Sequence, residues 1–152
     1  MDEDRHQDGD DQNQKLIELL NELRVALPGV QVLFAFLLAV PFANGWRKTT
    51  HFQRDVFFAA FLCTAAATVL LIAPSAYHRL RWRDRDIERM LETSNRLTLS
   101  GMTFLAFAMI AVVLLITDLL FSRGLAVVVT AVFALGFGWF WYGLALRAGT
   151  RD

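Results

Sequence analysis

The chain reads as an all-α integral membrane protein, a four-helix bundle preceded by a cytoplasmic amphipathic helix. Three observations point there. Four runs free of Asp, Glu, Lys and Arg occupy residues 25–46, 56–78, 97–117 and 124–146 of the 152. At about 1.5 Å of rise per residue each makes a helix of roughly 32–35 Å, enough for a hydrocarbon core of roughly 30 Å. Hydrophobic residues make up 55% of the chain and charged ones 20%, so no stretch remains for a separate water-soluble domain.

Residues 1–13 are acidic and polar, MDEDRHQDGDDQN, and cannot bury enough apolar area to offset ordering, so a flexible tail is expected. An acidic start is opposite to that of a secretory signal peptide, and no removed leader is expected. Over 14–27 the pattern changes. Leu16, Leu20, Leu23 and Leu27 form one apolar stripe, with Lys15, Glu18, Glu22 and Arg24 on the wet side, which predicts an amphipathic helix at the membrane interface. Pro28-Gly29 marks a break before the first span.

The membrane domain covers 28–147, with spans at about 28–46, 56–75, 98–120 and 124–146, and 148–152 form a short C-terminal tail. Pro41 is expected to bend the first span and release the carbonyl of Leu37. Phe121-Ser122-Arg123-Gly124 forces the third and fourth spans into a tight hairpin. Between the second and third spans, 79–97 reads as a helical loop in water. Glu92 and Arg96 make an i,i+4 pair there, and Arg85 with Glu88 and Arg89 with Glu92 make i,i+3 pairs. Arg79, Arg81, Arg83 and Arg85 are candidates for binding anionic lipid. The N-terminal tail and helix, the long loop and the C-terminal end hold eleven of the fifteen Lys and Arg residues. The two short loops hold only Arg47, Lys48, Arg54 and Arg123. That asymmetry predicts both termini on the cytoplasmic side of a bacterial cytoplasmic membrane.

Within membranes, small residues at every fourth position mark faces where helices approach closely. Gln31, Ala35, Ala39 and Ala43 form such a face on the first span, Ala60, Thr64 and Thr68 on the second, and Ala126, Thr130, Ala134 and Gly138 on the fourth. These faces are expected to meet inside the bundle. Trp46, Trp139, Trp141 and Tyr142 suit the interfaces. The single Cys63 has no disulfide partner and reads as a small packing residue.

Ionisable groups near the bilayer core are the functional candidates, because their desolvation is costly. Asp118 ends the third span, and with Asp55, Arg54 and Arg123 it makes an outer cluster that serves either as an ion-coupling site or as a salt-bridge cluster. An inner cluster comprises Gln31, Glu22, Arg24, His78 and Arg79, with Gln31 expected to hydrogen-bond between helices. His6, His51 and His78 are scattered, and no Cys pair, phosphate-cradling Gly loop, HExxH or nucleophile elbow occurs. No enzymatic activity, cofactor, metal or nucleic-acid partner is expected. The bilayer is the expected environment, with a second copy or another membrane protein as partner.

Through NELRVALPGVQVLFAFLLAVPF at 21–42, IAPSAYHRLRWR at 72–83 and SNRLTLSGMTFLA at 94–106, the chain resembles a family of small, uncharacterised four-span bacterial membrane proteins, found largely in actinobacteria. The resemblance covers about 14–147 and implies the same four-span architecture. Some members of that family are labelled sodium:proton antiporters, which would imply a cation and proton transporter acting as an oligomer, with Asp118 and Asp55 as the outer acids. Established antiporters have more spans, inverted repeats and midplane acids. The reading that follows from the residues is a helix-packing or partner-interaction protein.

Overall fold

A computed structural model describes residues 2–80 and 87–143. Within them, the side chains of residues 2–13, 15, 16, 19, 20, 22, 23, 77–80, 87–90, 142 and 143 lie outside the description. In chain order the elements are α1 (Asp2–Ala39), two 3-10 turns (Val40–Phe42 and Trp46–Lys48), α2 (His51–Leu80), α3 (Ile87–Leu120) and α4 (Arg123–Phe137). A π-helical turn, Gly138–Gly143, continues α4. Among the described residues there is no strand. Four segments are long and apolar enough to cross a membrane: Arg24–Phe42, His51–Ala76, Leu91–Leu120 and Arg123–Trp141. The class is therefore all-α, with four apolar helices that fit a membrane bundle.

Three local expectations change. Residues 2–13 are helical where a flexible tail was expected. The break expected at Pro28-Gly29 is absent, and α1 runs through both residues. Proline removes one backbone donor, and keeping every other hydrogen bond of the helix costs less in an apolar setting than unwinding it. Pro41, finally, does not bend a continuing helix. The α-helix stops at Ala39, Pro41 lies in the Val40–Phe42 turn, and Ala43 is extended with its N–H returned to the carbonyl of Val40 at 3.1 Å.

Close contacts divide the chain into two units, Met1–Phe36 with Thr64–Leu105, and Leu37–Cys63 with Ala106–Asp152. In the first, Val30, Ala67 and Leu71 are fully buried and form a cluster against which Leu27, Met102 and Leu105 pack. Gly101 makes the tight crossing of α2 and α3 possible: a Cβ there would fall 2.8 Å from Leu71 Cγ and 3.2 Å from Leu70 Cβ. Lipid tails are as apolar as leucine, so attraction between such helices comes from close van der Waals contact, and a glycine lets backbones come near enough to gain it. Nearer the start of α3, Glu92 and Arg96 pair at 2.7 Å with both side chains exposed. In the second unit, Trp46 meets Phe57 edge-on at 4.7 Å, Phe57 stacks on Phe61 at 6.5 Å, and Phe133, Phe137 and Trp141 form an edge-to-face ladder.

The small-residue faces behave differently from one another. Ala60 and Thr64 of α2 are fully buried, and so is Ala126 of α4. Gln31, Ala35 and Ala39 of α1, and Ala43 beyond it, are all exposed, while α1 buries its larger Val30 and Leu37. The expected inward face of the first span is thus an outward one. Outward too are many large side chains, from Val25 and Val32 to Phe107 and Leu135. Apolar patches of that extent would be untenable in water and are what lipid requires.

Candidate functional site

The most elaborate polar arrangement among the described residues lies at the start of α2, the end of α3 and the start of α4. It begins with the entry to α2. Thr50 and Gln53 form a reciprocal capping box: the Thr50 N–H donates to Gln53 Oε1 at 3.0 Å, and the Gln53 N–H donates to Thr50 Oγ1 at 3.2 Å. This pairing satisfies two amides that the first helical turn would otherwise leave open. With its oxygen so engaged, Gln53 has only its amide nitrogen to offer elsewhere. Nε2 donates to Asp118 Oδ2 at 2.9 Å.

Asp118 is nearly covered, its side chain 9% exposed, whereas that of its ion-pair partner Arg123 is 66% exposed. Arg123 Nε lies 3.7 Å from Asp118 Oδ1, and the guanidinium sits 4.5 Å over the ring of Phe52. An ion pair this long and this exposed on one side contributes little by itself, at most about 1 kcal/mol. The bond from Gln53 is short and charge-assisted, so it is the stronger constraint on the carboxylate. One acid thus joins three helix ends, through a hydrogen bond at Oδ2 and a long ion pair at Oδ1.

The backbone around the cluster is closed in the same economical way. Arg123 opens α4 directly after Ser122, whose carbonyl accepts the Ala126 N–H at 3.0 Å. At the end of α3, the Phe121 N–H donates to the Thr117 carbonyl at 2.9 Å. In the connection before α2, Thr49 Oγ1 donates to the Trp46 carbonyl at 2.7 Å and accepts from Arg54 Nε at 3.2 Å.

Of the four outer residues singled out from sequence, the structure therefore joins Asp118 and Arg123. Arg54 turns to Thr49 instead, and Asp55 is exposed and makes no ion pair among the described residues. One turn of helix accounts for the difference: Gln53, and not its neighbours at 54 and 55, lies on the covered side of α2. Gln53 and Phe52 were missed by sequence reasoning. The signal was there in Thr-His-Phe-Gln at 50–53, the spacing of a capping box.

The inner cluster is not assembled by the described groups. Gln31 is exposed and makes no hydrogen bond among the described residues, which corrects the expected interhelical bond: it lies about 100° around α1 from the buried Val30, on the outward face. Arg24 is exposed and has no ion pair among the described residues. The side chains of Glu22, His78 and Arg79 lie outside the described residues, as do Arg81, Arg83 and Arg85 and the pairs of Arg85 with Glu88 and Arg89 with Glu92. Cys63 is half-buried, with a free thiol. Among the described residues no three His, Cys, Asp or Glu side chains converge. A groove of about 360 Å³ on α4 and the π-helical turn after it is walled by Phe133, Gly136, Phe137, Phe140 and Trp141 together with Val132, and holds no titratable or nucleophilic side chain.

The family model for a family of unknown function, DUF6328, matches residues 5–145. The chain belongs to the DUF6328 family. No curated protein and no solved structure matches it. For this DUF6328 member the match covers all four apolar helices, and with them the whole Gln53–Asp118–Arg123 arrangement.

Proposed function

We propose that this DUF6328 member is a membrane-embedded packing protein, without enzymatic chemistry, which associates with itself or with another membrane protein. One observation carries the reading. Asp118, at the end of the third apolar segment, accepts a hydrogen bond from Gln53 and pairs with Arg123. A carboxylate so held fastens helix ends. The exposed apolar sides of α1 and α4 supply the surface through which a lipid-embedded partner would pack. The distribution of Lys and Arg supports a cytoplasmic position for both termini. Reporters fused after residue 152 and within 81–89 should both read cytoplasmic; a periplasmic signal from either would reject that orientation.

The second reading is cation or proton transport by an oligomer. It draws on the same carboxylate, covered yet at the end of a span, which would have to release Gln53 and Arg123 during each cycle. Purified protein reconstituted in liposomes with an internal pH dye, under imposed sodium and potassium gradients, separates the two. The packing reading predicts the same pH trace as empty liposomes once insertion is confirmed. A protein-dependent, cation-dependent pH change that is lost in Asp118→Asn would replace it with transport.

A further inference from the structure

A threonine in an apolar helix usually hides its hydroxyl by donating to the carbonyl one turn back. Thr68, Thr103 and Thr117 do so, each at 2.8 Å, to the carbonyls of Thr64, Leu99 and Val113. Thr98 does not. Its Oγ1 is closed off from the surface and has no hydrogen-bond partner, although the residue is only 7% exposed. A hydroxyl left unsatisfied in such surroundings forfeits its hydration without compensation, so an orphan there calls for a partner.

The facing helix has a matching defect. Pro74 lies inside α2, buried to within 2% of its surface, and has no N–H to give. The carbonyl of Leu70, four residues earlier, therefore lacks its helical donor. Joined through residues 81–86, α2 and α3 run antiparallel, and their register is fixed where Leu71 lies against Gly101. One turn further along α2 is Pro74, and one turn back along α3 is Thr98, so the two are level across the seam. Ser94, 1% exposed, continues the same face of α3 by another turn. A buried hydroxyl and a carbonyl deprived of its helical donor thus lie at the same level of the seam between α2 and α3.

We propose that a single buried water molecule bridges the Leu70 carbonyl oxygen and the Thr98 hydroxyl. It donates one hydrogen to the carbonyl and exchanges the second bond with Thr98, supplying what proline withholds. A water in a protein interior needs two to four polar partners, and these two groups supply two. The site is separate from Asp118 and independent of whether the protein packs or transports.

Thermal unfolding in detergent of the full chain tests it. Thr98→Val keeps the shape and removes the hydroxyl; it should lower Tm by about 2–4 °C, and Thr98→Ser should restore it. Pro74→Ala gives Leu70 a helical donor, and in that background Thr98→Val should lower Tm by less than half as much. A rise in Tm for Thr98→Val in the native background, or an equal loss in both backgrounds, would overturn the bridge. Solvent density within hydrogen-bond reach of both groups in a high-resolution structure of the native protein should accompany the result. A direct bond between Thr98 and the Leu70 carbonyl, with no solvent between them, would also overturn it, and that readout stands even if the Pro74 variant does not fold.

Discussion

The first and second spans carry the same small-residue spacing and put it to opposite use. On α2, Ala60 and Thr64 are fully buried; on α1, Gln31, Ala35 and Ala39 face outward and the bulkier Val30 and Leu37 are the buried ones. Small residues give a helix the capacity for close approach, but the neighbour must bring a complementary surface. In the first unit α3 brings Gly101, which has no side chain to hold the helices apart. What α1 buries in that unit is Val30, which fills space against Ala67 and Leu71 instead of bringing backbones together.

The contrast can be broken by adding volume to each region. Gly101→Leu should be the most damaging change, costing about 3 kcal/mol or more, or preventing recovery of folded protein, because its first side-chain carbon would fall on Leu71 and against the Cβ of Leu70. Unfolding in detergent checks this, and native-like stability would mean the crossing is loose. Ala60→Leu should cost about 1–3 kcal/mol by the same measure, through overpacking at a fully buried position. For the polar region, Asp118→Ala should destabilise by about 1–3 kcal/mol, since it strands the buried amide of Gln53. Asp118→Asn, which can still accept that hydrogen bond, should cost less.

Smaller effects sharpen the comparison from the other side. Ala35→Leu, on the outward face of α1, should leave the stability of the isolated chain within about 0.5 kcal/mol of the native value. If it weakens crosslinking between copies in membranes while leaving detergent stability intact, that face serves an intermolecular contact. Arg96→Ala removes an exposed i,i+4 pair with Glu92 and should cost only about 0.3–0.5 kcal/mol, further reduced by added salt.

Hydropathy made the architecture legible, because only helices satisfy their own backbone groups across a bilayer and each run had the length to do so. The ends of the spans also told which charges could meet: Asp118 and Arg123 are separated by a tight turn, and they pair. Which side of α1 turns inward was not legible. Apart from Gln31, every residue of that helix beyond Arg24 is apolar or small, so the usual division between wet and dry faces carries little information there. Nor did charge lead to Gln53. Attention to Arg54 and Asp55 passed over the neutral neighbour whose capping role fixes its position and turns its free amide toward the acid.

That amide is where the central claim is most exposed. A double-mutant cycle with Gln53→Ala, Asp118→Ala and the double variant, followed by unfolding in detergent, isolates the energy of their contact. A fixed polar fastening of helix ends predicts a favourable coupling of about 0.6–1.7 kcal/mol, the range expected of interhelical hydrogen bonds in membranes. A coupling indistinguishable from zero would contradict it and leave the Asp118 carboxylate free for another task.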